Sequence, residues 1–182
     1  MKIIETERLL LRDLRRSYWQ AVHEYASDPK VVQYMDWGPN TDIETKEFIQ
    51  RGIKDRREKP RSVFTLAIVL KADNGLIGSC GIHVSSPQNK EGWFGYCLNR
   101  SFWGKGYATE TASALVGFGF DHLGLHRIFA TCDPANTASA HVLEKSGMGR
   151  EGHLRQHKWS KGKWRDSYVY AIVEEEWKQI QK

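Results

Sequence analysis

Apolar and polar positions along this chain alternate between two rhythms, one short and one near 3.6 residues. A compact apolar stretch around Leu9, Leu10 and Leu11 predicts a first strand over residues 7–13. Ser17 offers a cap for a helix over 18–27, and Asp28-Pro29 ends it, because the residue before a proline avoids the helical region. Tyr34, Met35 and Trp37 form an irregular aromatic segment that runs into the turn signal Gly38-Pro39. Thr41 and Glu44 have the spacing of a capping box and open a second helix, 43–58, closed by Lys59-Pro60.

Three strands follow. Val63–Leu70 is rich in β-formers, Asn74-Gly75 signals a hairpin, and 76–84 and 92–98 flank a polar loop. Gly78 and Gly81 inside the second of these strands indicate a bulge or a close approach of neighbours. In 106–121, Ala108, Ala112, Leu115, Val116 and Gly119 recur on one helical face. Gly117 and Gly119 each cost about 1 kcal/mol against alanine in a helix, and let it lie near a sheet. Residues 127–132 form a strand, Asp133-Pro134 turns it, and Asn136 or Thr137 caps a helix to about Lys145, stopped by Gly147. Residues 151–159 and 167–173 make a closing hairpin with its tip at 160–163.

A strand, a helix and a strand over 92–132 imply a parallel pair, while the hairpins are antiparallel. The fold class is therefore α+β with a mixed sheet. No repeat or linker interrupts the 182 residues, so one domain over 1–182 is expected. Apolar content of 40% beside 27% charged residues is ordinary globular composition. No apolar run nears the ~20 residues of a membrane helix. Cys80, Cys97 and Cys132 are odd in number and widely spaced, which reads as reduced cytosolic thiols and a cytoplasmic protein. His122 and His126 are four apart, but Gly124 lies between them and no third ligand follows, so no metal site is read. A net charge of +5 raises the question of nucleic acid, but acids lie among the bases, and attraction of an anionic cofactor fits better.

The stretch RSFWGKGYATE, residues 100–110, joins the strand 92–98 to the helix 106–121. Gly104 and Gly106 allow unusual dihedrals and a close ligand, and a helix start turns unpaired N–H groups outward. Such a turn suits a phosphate or pyrophosphate. It is neither the dinucleotide-binding glycine pattern nor a P-loop.

Trp103-x-x-Gly106-x-Ala108 resembles the Q/R-x-x-G-x-G/A signature of the GNAT superfamily of N-acetyltransferases, and Asn136-x-x-Ser139 with the run 142–148 is a second match. The opening ETERLLLRDL is similar to the start of the branch that acetylates ribosomal proteins at their N-termini. Trp103 departs from the wider family's Gln or Arg; the substitution is usual in that branch, and the turn works mainly through backbone N–H groups. The resemblance implies a mixed, mostly antiparallel sheet of about seven strands, helices on both faces, and two central parallel strands splayed around acetyl-CoA. It implies transfer of acetyl to a primary amine by direct attack, the amine being the N-terminus of a ribosomal protein. A small-molecule amine, a non-catalytic acetyl-CoA sensor and a basic RNA-binding module stand as alternatives. No membrane and no direct nucleic-acid partner are expected, and the chain is a monomer or homodimer.

By the same resemblance Trp103, Gly104, Lys105, Gly106, Tyr107, Ala108 and Thr109 cradle the pyrophosphate. Cys97 and Leu98 pair with the pantetheine arm, and an N–H there, assigned to Leu98 as the catalytic one, meets the thioester oxygen. Asn136 holds the arm, and Ser139 lies against it and protonates the departing thiolate. For the base, His83, Glu91, His153, His157 and Asp166 remain open; Lys158 occupies the place where related enzymes can carry a Glu. The segments 34–37, 43–58 and 159–164 are assigned to acceptor recognition, and Lys158, Lys161, Lys163 and Arg165 make a basic hairpin tip.

Overall fold

The computed structural model describes residues 4–181. Its strands are β1 (Ile4–Glu5), β2 (Leu9–Asp13), β3 (Val63–Leu70), β4 (Leu76–Ser86), β5 (Glu91–Leu98), β6 (Arg127–Cys132), β7 (Gly149–Ser160) and β8 (Lys163–Val173). They form one sheet in the order β1-β2-β3-β4-β5-β6-β8-β7. Among the described pairs only β5 and β6 run parallel, so the sheet is mixed and mostly antiparallel, as expected. The count is eight rather than seven because Ile4–Glu5 adds a two-residue strand along the edge of β2. So short a strand has no periodicity of its own; only the neighbouring edge makes it visible.

The helices are α1 (Trp19–Ala26), α2 (Asp42–Asp55), α3 (Tyr107–Asp121), α4 (Thr137–Lys145) and α5 (Glu174–Ile180). Thr41 and Glu44 do form the capping box of α2, each bonding the other's backbone N–H. Ser17 is not a cap: it lies inside a 3-10 turn, Arg16–Tyr18, and α1 starts after it without a capping side chain. The second helix ends three residues before the expected Glu58. The sequence pattern does not predict helix α5, since its seven residues are too few for a full amphipathic period.

Helices cover both faces. Leu115 and Val116 of α3 and Leu143 of α4 join one core with Ile82, Phe94 and Ile128 of the sheet. Val22 and Tyr25 of α1 and Ile49 of α2 join another with Ala67, Val69 and Cys97 on the opposite face. The glycines decide how closely these layers approach. A Cβ on Gly119 would lie 2.5 Å from the Ile128 Cδ1 and 2.9 Å from the Ile82 Cδ1, so α3 rests directly on the sheet there. Gly117 instead faces Trp177 of α5. A Cβ on Gly78 would lie 2.2 Å from the Cys97 carbonyl oxygen, and the adjoining β3–β4 ladder slips its register between Ile68 and Val69.

Gly78→Ala therefore has to part β4 from β5. It should destabilise the protein by about 2–3 kcal/mol in urea unfolding, whereas Gly149→Ala, with open space around it, should stay within about 0.5 kcal/mol.

Candidate active site

The parallel pair β5–β6 is short. It holds from Glu91↔Arg127 to Trp93↔Phe129 and then the strands part. Each stays with its outer neighbour: β5 with β4 as far as Leu98↔Gly78, β6 with β8 as far as Cys132↔Tyr168. A V-shaped opening results, with residues 94–98 along one inner edge.

Ladder alternation says which groups face that opening. The Asn99 N–H donates to the Ile77 carbonyl at 2.8 Å. In an antiparallel ladder the next residue back then turns its N–H and C=O the other way, as does every second residue before it. Leu98 and Tyr96 therefore present their main chain to the V. Cys97 does not: its main chain faces Ser79 of β4, and its thiol is buried in the core beneath α1 and α2. The period of two separates Leu98 from Cys97, and it brings forward Tyr96, which the motif reading passed over.

The Leu98 carbonyl already has a partner. The Trp103 indole N–H donates to it at 2.9 Å, which fixes the start of the turn to the end of the strand. Beyond it, Gly104 has φ +73° and Gly106 φ +81°. Both lie in the left-handed region where a side chain is strained. Gly106 is the N-cap of α3 and makes no side-chain cap bond. Gly104, Lys105 and Gly106 are exposed, and the Lys105 ammonium sits 5.2 Å over the Phe102 ring. Among the described residues the N–H groups of residues 104–109 have no partner within the protein, and the first intrahelical bond is Glu110 N–H to the Gly106 carbonyl. Tyr107, Ala108 and Thr109 thus contribute three of the unpaired donors that a helix start leaves.

Across the V, Asn136 caps α4. Its Oδ1 accepts from the Ser139 N–H at 3.1 Å, while its amide nitrogen has no partner among the described residues. The Ser139 hydroxyl is 3.2 Å from the Tyr96 hydroxyl, so strand β5 and helix α4 meet at these two side chains. Burial pushes the Tyr96 pKa up to about 12, so its phenol keeps its proton at neutral pH.

The candidate bases separate by position. Glu91 pairs with Arg127 at 3.1 Å, at the end of β5 remote from the turn. His153 pairs with Asp166 at 2.7 Å, and Asp166 also accepts the Gln156 N–H inside a register slip of the β7–β8 hairpin. His157 is exposed, and partial burial with Lys158 and Arg165 nearby lowers its pKa. His83 stacks on Trp93 at 4.0 Å, where the strands part, and burial lowers its pKa.

Three of the four cations of the basic hairpin tip are engaged within the chain. Lys158 pairs with Asp36 at 3.0 Å, Lys161 donates to the Val32 carbonyl at 2.6 Å, and Arg165 donates to the Tyr34 carbonyl and lies 3.6 Å from Asp133. The tip clasps the segment after α1, beside the mouth of the V. Trp159 and Trp164 pair edge-to-face at 5.5 Å across it.

An acetyltransferase (GNAT) domain model matches residues 8–149. The uncharacterized N-acetyltransferase YnaD of Bacillus subtilis is 37% identical, over 96% of this chain and 98% of its own. A GNAT-family acetyltransferase from Bacillus anthracis superposes with a TM-score of 0.85 at 36% identity, covering 96% of this chain and 99% of the other. A RimL ribosomal L7/L12 alpha-N-protein acetyltransferase crystallised with coenzyme A gives 0.82 at 25% identity, covering 94% and 98%.

Burial around the V also sets a pH dependence. It pushes Cys97 up to about 12 and Cys132 to about 11, and it raises Tyr25 and Cys80 as well. In the unfolded chain thiols ionise near 8.5 and phenols near 10. A raised folded pKa means the stability is complete below the unfolded value and falls as pH rises toward the folded one. The urea midpoint should therefore fall steadily from about pH 8.5 to 11, and Cys97→Ala should flatten part of that slope.

Proposed function

The chain belongs to the GNAT family of acetyltransferases and takes acetyl-CoA as its acyl donor, and from this we propose that it acetylates the N-terminal amine of a protein, ribosomal proteins among them. The observation that supports the site most is the unpaired inner edge of β5 beyond Trp93, with the free amides of residues 104–109 at its end. An extended thioester arm completes that edge as an added strand would. The diphosphate then falls on the head of α3, and the thioester lies toward the apex of the V.

In this reading the N–H groups of Leu98 and Tyr96 face the arm, and a donor on that edge stabilises the developing oxyanion, an effect of ~3 kcal/mol. The free amide nitrogen of Asn136 holds the arm from the other side. The Ser139 hydroxyl gives a proton to the departing sulfur, and the Tyr96 hydroxyl beside it can restore that proton. His83 is the base this geometry favours, because it sits at the apex and its lowered pKa leaves it neutral at pH 7. An α-amine with a pKa near 8 is already partly neutral and asks little of a base, unlike an amine near 10.4.

The electrostatics at the mouth favour a peptide over a polyamine. Asp36 and Asp133, the carboxylates of the clasp, already face Lys158 and Arg165. A molecule carrying several ammonium groups would find those two carboxylates already neutralised. With wild-type protein, peptides bearing a free N-terminus should release CoA thiol from acetyl-CoA, while N-blocked peptides and spermidine should not. Faster release with spermidine would overturn the acceptor assignment.

Two substitutions test the site. Gly106→Trp should remove detectable CoA binding in calorimetry and leave the far-UV circular dichroism largely unchanged: φ of +81° strains any side chain there, but the turn is exposed and a Cβ meets only the Arg8 Nη2, at 3.3 Å. Ser139→Ala should lower kcat by about 10- to 100-fold with little change in the KM for acetyl-CoA; an unchanged kcat would return Ser139 to a packing role.

A further inference from the structure

The side chain most involved with the turn comes from far away in sequence. The Arg8 guanidinium donates from Nη1 to the Lys105 carbonyl at 3.0 Å and from Nε to Glu110 at 2.7 Å. It lies 4.5 Å over the Tyr107 ring. The Arg8 main-chain N–H donates to the other Glu110 oxygen at 2.8 Å, and the Thr6 hydroxyl donates to that oxygen too. The bend between β1 and β2 and the first turn of α3 are thereby locked together through one carboxylate. These contacts bring burial cost to Glu110, but the bonds from Thr6 and Arg8 outweigh it and hold its pKa below the usual range.

We infer that Arg8 is a positioning residue for the diphosphate of acetyl-CoA, acting through the Lys105–Gly106 peptide. The inference rests on the cradle reading given above. A trans peptide is planar, so its C=O and N–H point in opposite directions. Holding the Lys105 oxygen toward Arg8 turns the Gly106 N–H away from Arg8, to the open side. It also engages the oxygen that would otherwise accept the Thr109 N–H one turn on, and that N–H has no partner. Gly104 and Gly106 left alone would sample many conformations; Arg8 selects the one with its amides outward. Among the described residues the Arg8 Nη2 has no partner, and it lies beside Gly106, which adds positive charge to the turn.

Arg8→Gln removes the fork and the charge. CoA affinity by calorimetry should drop about tenfold, the loss expected for a charged hydrogen bond. The KM for acetyl-CoA should rise in parallel, with kcat held within about twofold. The decisive arm uses S-acetylpantetheine, a donor without the diphosphate: its rate should be the same in Arg8→Gln and wild type. Arg8→Lys should rescue only part of the affinity, because an ammonium keeps the charge and lacks the fork. Glu110→Gln, which loosens the anchor, should weaken CoA in the same direction. An unchanged CoA affinity in Arg8→Gln overturns the inference, as does an equal loss with S-acetylpantetheine, which marks a general structural role. Wild-type protein that fails to bind CoA overturns the cradle itself, a separate outcome.

Discussion

Two parallel strands that stop bonding to each other inside a sheet create an obligation. Each interior residue of β5 carries a donor and an acceptor, and buried backbone groups need partners. Up to Trp93 the partner is β6; beyond it the inner edge has no partner strand among the described residues, because β6 has turned to follow β8. Both outer ladders run on past the split, β4–β5 to Leu98 and β6–β8 to Cys132, so each strand keeps its outer neighbour after it leaves the inner one. A strand edge left open within a sheet is a template for another extended chain, and the proposed site puts the arm of the acyl donor there.

The remaining features bring donors to the end of that edge. Trp103 pins the turn to the Leu98 carbonyl, two left-handed glycines reverse the chain, and α3 begins with its first amides unpaired. Exposed helix starts are common, and by themselves they bind little. Here the turn is held at both sides, by the indole from within and by Arg8 with Glu110, from the bend before β2 and from α3. The cost of ordering the glycines is thus met before any ligand arrives, which is what preorganisation means in energetic terms.

Charge acts on the other arm of the V, beside its mouth. A chain with a net charge of +5 and a lysine-rich hairpin tip invites a nucleic-acid reading. Yet Lys158, Lys161 and Arg165 spend their donors on Asp36, Val32, Tyr34 and Asp133 of the same chain. The tip is an internal clasp that shapes the mouth of the V and neutralises its carboxylates. A surface charge count carries no information about which charges are already paired.

Local chemistry made much of this legible from residues alone. The capping box at Thr41 and Glu44, the Asn74-Gly75 hairpin, the glycine turn at 104–106 and the Asn136 cap each depend on a few neighbouring residues, and all of them are found in the structure. The parallel pair between 92–98 and 127–132 followed from one helix joining two strands. What the tertiary structure alone decided were contacts between residues distant along the chain: Arg8 with Lys105 and Glu110, Tyr96 with Ser139, Trp103 with the Leu98 carbonyl, and Lys158 with Asp36. The two-residue β1 and the seven-residue α5 belong with them, being too short to carry a period. The choice between Cys97 and Leu98 also needed the ladder, because the face a strand residue's amide takes depends on how its neighbour pairs. Sequence encodes the pattern of each element directly; which donors remain unpaired depends on how every element packs against the others.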